Sequence, residues 1–265
     1  MSREDADAVA ADLLRAEKER NQIGLVSLRF PNMTMDDAYA IQSAHMSRKL
    51  AEGRRIVGWK IGLTSRAMQA ALGIETPDSG VLYDDMAFGN GATVPKGRFI
   101  QPRIEAEIAF VLRHGISDHA TREEVLKATE FVTPALEILD TRITRTDVKT
   151  GTPRIVVDTI SDNAANAGFV LGDSRFDPSD VDLRWIGAVV KRNGNVEATG
   201  LGAAVLDDPV ESVVWLARRM AGYGLSLQAG QVVLSGSFIA PIECPSGTKI
   251  EADFGGFGTV GVAFE

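Results

Sequence analysis

Two glutamates stand two residues apart in the otherwise apolar run Arg103-Ile104-Glu105-Ala106-Glu107-Ile108-Ala109-Phe110. The run reads as a β-strand, and side chains alternate faces along a strand, so Glu105 and Glu107 project from one face. Two like charges so close raise each other's pKa unless something positive lies between them. A hard divalent cation suits that place, because Mg²⁺ and Mn²⁺ prefer carboxylate oxygens. Glu137 offers a third ligand from a second apolar run, Thr133-Pro134-Ala135-Leu136-Glu137-Ile138-Leu139. A lone Glu-x-Glu is more often the solvent face of an amphipathic strand. Here the neighbours are apolar on both sides, and burying three carboxylates without a cation would be very costly.

Lys60 lies in the apolar run Val57-Gly58-Trp59-Lys60-Ile61-Gly62-Leu63. Such a lysine can snorkel to the surface; buried beside a carboxylate, it can donate a proton or hold an anionic intermediate. Thr64-Ser65 and Pro77-Asp78-Ser79-Gly80 read as turns that add polar groups nearby. Asp158 to Asn166 is dense in polar side chains and reads as a turn or a helix cap using Ser161. Leu234-Ser235-Gly236-Ser237-Phe238 puts small residues after a strand, where backbone can approach a ligand closely.

These residues need elements to hold them. Ala6, Val9, Leu13 and Leu14 recur at helical spacing, and Thr34 with Asp37 forms an acidic capping box for a second helix that Gly53 would stop. Beyond Arg54 short strand-like runs take over, at Ile56–Leu63, Ile104–Leu112, Ala135–Leu139, Asn166–Leu171, Trp185–Arg192, Gln231–Leu234 and Thr259–Phe264. Helices are expected near Arg122–Glu130 and Pro209–Tyr223, and Asn193-Gly194 signals a hairpin leading to a short strand at Val196. The fold class is α+β: a helical region over 1–54, then a strand-rich body of mixed topology over 55–265.

The 265 residues are 45% hydrophobic and 24% charged, as in an ordinary globular protein. A net charge of −8 without a basic cluster argues against nucleic acid. Cys244 is the only cysteine, which excludes an intrachain disulfide and a thiolate zinc site. The charged N-terminus does not read as a signal peptide, no run is apolar enough to span a membrane, and the cytoplasm is the expected compartment. Gly256-Phe257-Gly258-Thr259-Val260-Gly261 matches a dinucleotide fingerprint but leads into a strand pattern, not a helix. His45, His114 and His119 show neither metal-ligand spacing nor a paired nucleophile.

Four blocks in order, Gly58-Trp59-Lys60-Ile61-Gly62-Leu63-Thr64-Ser65, Pro77-Asp78-Ser79-Gly80, Phe99 to Glu107 and Asp158 to Asn166, resemble the hydratase/decarboxylase branch of the fumarylacetoacetate-hydrolase-like superfamily. The resemblance covers nearly the whole chain. It implies a mixed, β-roll-like core and a Mg²⁺ or Mn²⁺ site built from Glu105, Glu107 and Glu137. It also implies a homo-oligomer built from dimers and a small 2-oxo acid substrate. The implied reaction is hydration of a 2-hydroxy-2,4-dienoate, foremost the diacid 2-oxo-hept-4-ene-1,7-dioate. The alternatives are decarboxylation of a 4-oxalocrotonate-type acid and hydration of 2-hydroxypenta-2,4-dienoate. Lys60 and Asp78 take the catalytic roles, with Arg103, Ser161 and Ser237 as substrate-binding candidates. Asp78 favours hydration, since adding water needs an acid or base that losing CO₂ does not. Arg103 suits a diacid, whereas Ser237-Phe238-Ile239-Ala240-Pro241 lacks the arginine expected within that block for one.

Overall fold

The computed structural model describes residues 1–66, 69–70, 74–117 and 120–265. His119 therefore lies outside the described residues. The chain begins with α1 (Arg3–Glu19), where the Ser2 side chain accepts the Asp5 N–H as N-cap and Arg20 closes the helix in the left-handed region. A short α2 (Val26–Arg29) follows, then α3 (Met35–Ala51), which starts on the Thr34–Asp37 capping box. Val9 and Leu13 of α1 pack with Leu25, Val26, Ile41 and Ile143 in a small apolar cluster. No helix among the described residues is long and apolar enough to cross a membrane.

Strands dominate from Ile56. The larger sheet holds β1 (Ile56–Gly62), β2 (Asp78–Tyr83), β3 (Ala87–Phe88), β5 (Arg103–Leu112), β6 (Thr129–Leu139), β7 (Asn166–Leu171) and β10 (Val232–Leu234), ordered β2-β1-β10-β5-β6-β7-β3. A short β11 (Ile242–Glu243) adds to β5. The smaller sheet runs β4 (Thr93–Val94), β13 (Thr259–Phe264), β12 (Lys249–Asp253), β8 (Gly187–Arg192), β9 (Asn195–Leu201). Pairing is mixed: β1 with β10, β3 with β7 and β4 with β13 are parallel, and the other pairs are antiparallel. The α+β class and the mixed topology are as expected.

The β5–β6 ladder explains how a charged face can sit inside an apolar body. Ile104, Ala106, Ile108, Phe110 and Leu112 point to one side of β5 and are completely buried, as are Leu136 and Ile138 of β6. The opposite face carries Arg103, Glu105 and Glu107 before it turns apolar at Ala109 and Val111.

Several expectations change in detail. Pro77-Asp78-Ser79-Gly80 is not a turn, because Asp78 already pairs with Gly62 as the first residue of an edge strand. The helix expected to reach Glu130 is α4 (Arg122–Ala128); Thr129 starts β6, whose partners reward extension. The polar Asp158–Asn166 stretch divides into α5 (Val156–Ser161) and a turn. The remaining helix is α6 (Pro209–Ala221), with Asp208 as N-cap and Pro209 in its first turn. Asn193 and Gly194 turn the β8–β9 hairpin at φ 52° and 83°, as the dipeptide demands. The strand it opens is longer than the short one expected at Val196.

Candidate active site

Register brings the three carboxylates together. Glu105 lies directly opposite Glu137 across the β5–β6 ladder, and Glu107 lies opposite Ala135. One oxygen from each glutamate lies within 4.8 Å of the others. Glu107 and Glu137 are fully buried and Glu105 is half-buried. Glu107 Oε2 accepts the Gly236 N–H at 2.7 Å, and Glu137 Oε1 accepts from Asn166 Nδ2 at 2.7 Å. Glu107 Oε1 and Glu137 Oε2 are buried with no hydrogen-bond partner. Orphaned carboxylate oxygens are costly in a protein interior, and convergent ones are the donor set of a hard divalent cation. The residues present therefore fit Mg²⁺ or Mn²⁺.

Electrostatics says the same. Burial first, then Glu137 opposite, pushes the Glu105 carboxyl up to about 8 against the pull of Lys60. Burial, followed by Glu137 and Glu105, holds Glu107 well above the carboxylate range. Burial alone would lower the Lys60 ammonium, but Glu137, Asp78, Glu105 and Glu107 outweigh it and hold its pKa above the usual lysine value.

Lys60 does not snorkel. It is 3% exposed, and its Nζ lies 3.2 Å from Glu137 Oε1 and donates to the Ala164 carbonyl at 3.1 Å. That carbonyl belongs to a rare turn, in which Asn163, Ala164 and Ala165 are all left-handed, at φ 53°, 51° and 59°. Each such residue costs about 1–2 kcal/mol without glycine, so the surroundings must impose the turn. Buried Arg142 donates through Nε to Asp162 Oδ1, through Nη2 to the Asp162 carbonyl and through Nη1 to the Asn166 carbonyl. The Asn163 side chain grips both the N–H and the C=O of Val81. The strained turn thus presents a carbonyl to Lys60 and leads directly into Asn166, whose side-chain amide reaches Glu137.

Asp78, on β2, is buried and its Oδ1 has no hydrogen-bond partner. Burial raises its pKa, and Lys60 opposes the shift. A Cβ on Gly62 would stand 2.2 Å from Asp78 Oδ1 and 3.1 Å from Lys60 Nζ. Glycine at 62 is therefore what lets the carboxyl and the ammonium share one space. Gly236 has a parallel role: at φ 113° it turns its N–H to Glu107, and a side chain there would collide with Thr64.

A cleft of about 430 Å³ opens over Glu105, lined by residues 62–65, Thr199, Ala204 and 237–241. Glu105 is the one charged residue among the described residues lining it. Ser237 borders the cleft, with its hydroxyl donating to the Ile239 carbonyl at 2.9 Å. Arg103 shares the Glu105 face but spends its guanidinium on Glu243, which Arg145 also binds at 2.7 Å. Ser161 is not brought to the group: its buried hydroxyl donates to the Val157 carbonyl within α5 at 2.8 Å. The sequence reading missed Asn166 as a partner of Glu137, the Ala164 carbonyl and the need for glycine at 62, whereas Gly236 lay in a run already expected to allow close backbone approach. Asn166 lay inside a flagged polar block; the carbonyl had no side-chain signal at all.

Residues 64–264 match the family model described as fumarylacetoacetate (FAA) hydrolase C-terminal. The chain is 48% identical to a 2-oxo-hept-4-ene-1,7-dioate hydratase of Escherichia coli, over 97% of this chain and 96% of the relative. It is 41% identical to a 2-keto-4-pentenoate hydratase of Paraburkholderia xenovorans (strain LB400), over 100% and 97%. Among solved structures, 4-oxalocrotonate decarboxylase from Pseudomonas putida G7, complexed with magnesium and adipate, superposes with a TM-score of 0.92 at 35% identity, covering 100% of this chain and 99% of that one.

Proposed function

The chain belongs to the fumarylacetoacetate hydrolase family, and from that premise we propose that it is a divalent-metal-dependent hydro-lyase adding water to a 2-oxo-alkenoate. The substrate assigned is 2-oxo-hept-4-ene-1,7-dioate, reached as its 2-hydroxy-2,4-dienoate tautomer and converted to 4-hydroxy-2-oxoheptanedioate, a step of aromatic meta-cleavage catabolism. The observation that carries the reading is the buried Glu105–Glu107–Glu137 cluster, with unpartnered oxygens, beside Lys60 and Asp78. The resemblance further supports a homo-oligomer built from dimers, working in the cytoplasm.

Mg²⁺ or Mn²⁺ held by the three glutamates would supply Lewis-acid stabilisation of negative charge developing on the substrate's C2 oxygen. Lys60 has three N–H groups and turns two of them to Glu137 and the Ala164 carbonyl, leaving one for a substrate oxyanion or carboxylate. Asp78, whose pKa burial raises against the pull of Lys60, is placed to exchange a proton at Oδ1, with Lys60 beside it to balance the charge left behind. Protonation of the dienol at C5 moves the double bond into conjugation with the C2 carbonyl. Water then adds at C4, and C3 takes up a proton. Ser237 at the cleft rim is a candidate for orienting substrate or water, while Arg103 could serve the distal carboxylate only by leaving Glu243. The wall of Ile239, Ala240 and Pro241 carries no charge, and that observation favours 2-hydroxypenta-2,4-dienoate as a second reading.

Mass analysis of the product formed from 2-hydroxyhepta-2,4-diene-1,7-dioate tests the proposal. Hydration yields a product heavier than substrate by one water. Release of CO₂ instead would make the enzyme a decarboxylase and remove the proton-transfer role of Asp78. Hydration of the five-carbon monoacid alone would move the assignment to the second reading.

A further inference from the structure

Strand β2, which carries Asp78, is an edge strand: β1 pairs with one side, and no strand among the described residues pairs with the other. Free edges leave every second N–H and C=O unpaired, and Asp-Ser-Gly is poor strand sequence. In this protein side chains complete the edge. The Ser79 N–H donates to the Tyr39 hydroxyl at 3.1 Å, and the Ser79 carbonyl accepts from Gln42 Nε2 at 2.9 Å. Asn163 serves Val81 in the same way, at 2.8 and 2.9 Å.

Tyr39 and Gln42 are three residues apart on α3 and so share a face of that helix. Both are buried. The Arg219 guanidinium lies 4.0 Å from the centre of the Tyr39 ring and covers it. Gln42 Nε2 also donates to the Ile160 carbonyl at 3.1 Å. Ile160 belongs to the last turn of α5, directly before the left-handed turn whose Ala164 carbonyl holds Lys60. One amide therefore ties the strand that carries Asp78 to the segment that anchors Lys60.

We infer that Tyr39 and Gln42 are positioning residues for the Asp78–Lys60 pair, replacing the strand that β2 lacks and fixing the two reacting groups relative to one another. This rests on the reading of Asp78 as a proton-transfer group. It gives the N-terminal helical region a part in the reaction, although none of its side chains reaches the carboxylate cluster.

The test is a double-mutant cycle. Tyr39→Phe keeps the ring under Arg219 and removes only the oxygen that accepts the Ser79 N–H. Misplacement of a reacting group by a fraction of an ångström to 1 Å lowers rate by about 10- to 100-fold. The expected result is a loss of that size in kcat, with KM and Mn²⁺ affinity unchanged. In an Asp78→Asn background the same substitution produces no further loss, because the group it positions is gone. Gln42→Met carries the same cycle should Tyr39→Phe fold poorly. Full kcat in Tyr39→Phe, or the same fold-loss in both backgrounds, overturns the inference. Asp78→Asn with undiminished turnover overturns it by a separate route, visible before any Tyr39 variant is made, since the proposed reading of Asp78 would itself have failed.

Discussion

Glu107→Gln is expected to abolish divalent-ion binding and lower kcat/KM by about 10³-fold or more, the rate equivalent of the several kcal/mol that Lewis-acid stabilisation supplies. The fold should survive it. The glutamine carbonyl can keep the 2.7 Å bond from the Gly236 N–H, and its NH₂ replaces an oxygen that had no partner. The metal-free variant should be as stable as metal-free parent near pH 5 and more stable as pH rises. The sign follows from the raised pKa values in the parent. A carboxyl whose folded pKa exceeds its unfolded value contributes stability below the unfolded value and loses it as pH climbs. For Glu105 that window runs from its ordinary value of 4.5 to about 8, and removing the Glu107 charge eases it. Thermal unfolding across that range, with and without Mg²⁺, checks this. Retained Mg²⁺-induced stabilisation in the variant would remove Glu107 from the ligand set.

Lys60→Met should separate binding from chemistry. The ammonium lies against Glu137, so its removal leaves the cluster more negative, and divalent-ion affinity is expected to hold or increase. Turnover should fall by about 10²–10⁴-fold, the usual contribution of a positioned proton-transfer or oxyanion-holding group. A Lys60→Met enzyme with full turnover and intact metal binding would exclude Lys60 from the mechanism.

How far this could be read from residues alone depended on which physical rule governed each one. Strand alternation is local, so the shared face of Glu105 and Glu107 needed only the apolar run around them. Glu137 could be proposed from its equally apolar setting, but its place opposite Glu105 is a matter of cross-strand register, which no local pattern carries. Asp78 was picked out inside a stretch read as a turn, because Asp, Ser and Gly are turn residues. Tertiary contacts overrode that propensity, with Tyr39, Gln42 and Asn163 supplying the bonds of an absent strand. The capping box of α3 was legible from Thr34 and Asp37, yet its functional face was not, since the apolar spacing that reveals a helix passes over a buried glutamine. Lys60 could have been surface or interior; its burial follows from a carbonyl offered by three consecutive left-handed residues, none of them glycine. Arg103 and Ser161 show the converse, as residue types suited to substrate that the structure gives to Glu243 and to a helix carbonyl.

The most direct measurement is titration of the EDTA-treated protein with Mn²⁺, with dienol hydration followed in the same samples. The account predicts no turnover without metal, one ion bound per chain, and a rate that rises in proportion to occupancy. Full hydration in the stripped protein, or Mn²⁺ binding that leaves the rate unchanged, would contradict it.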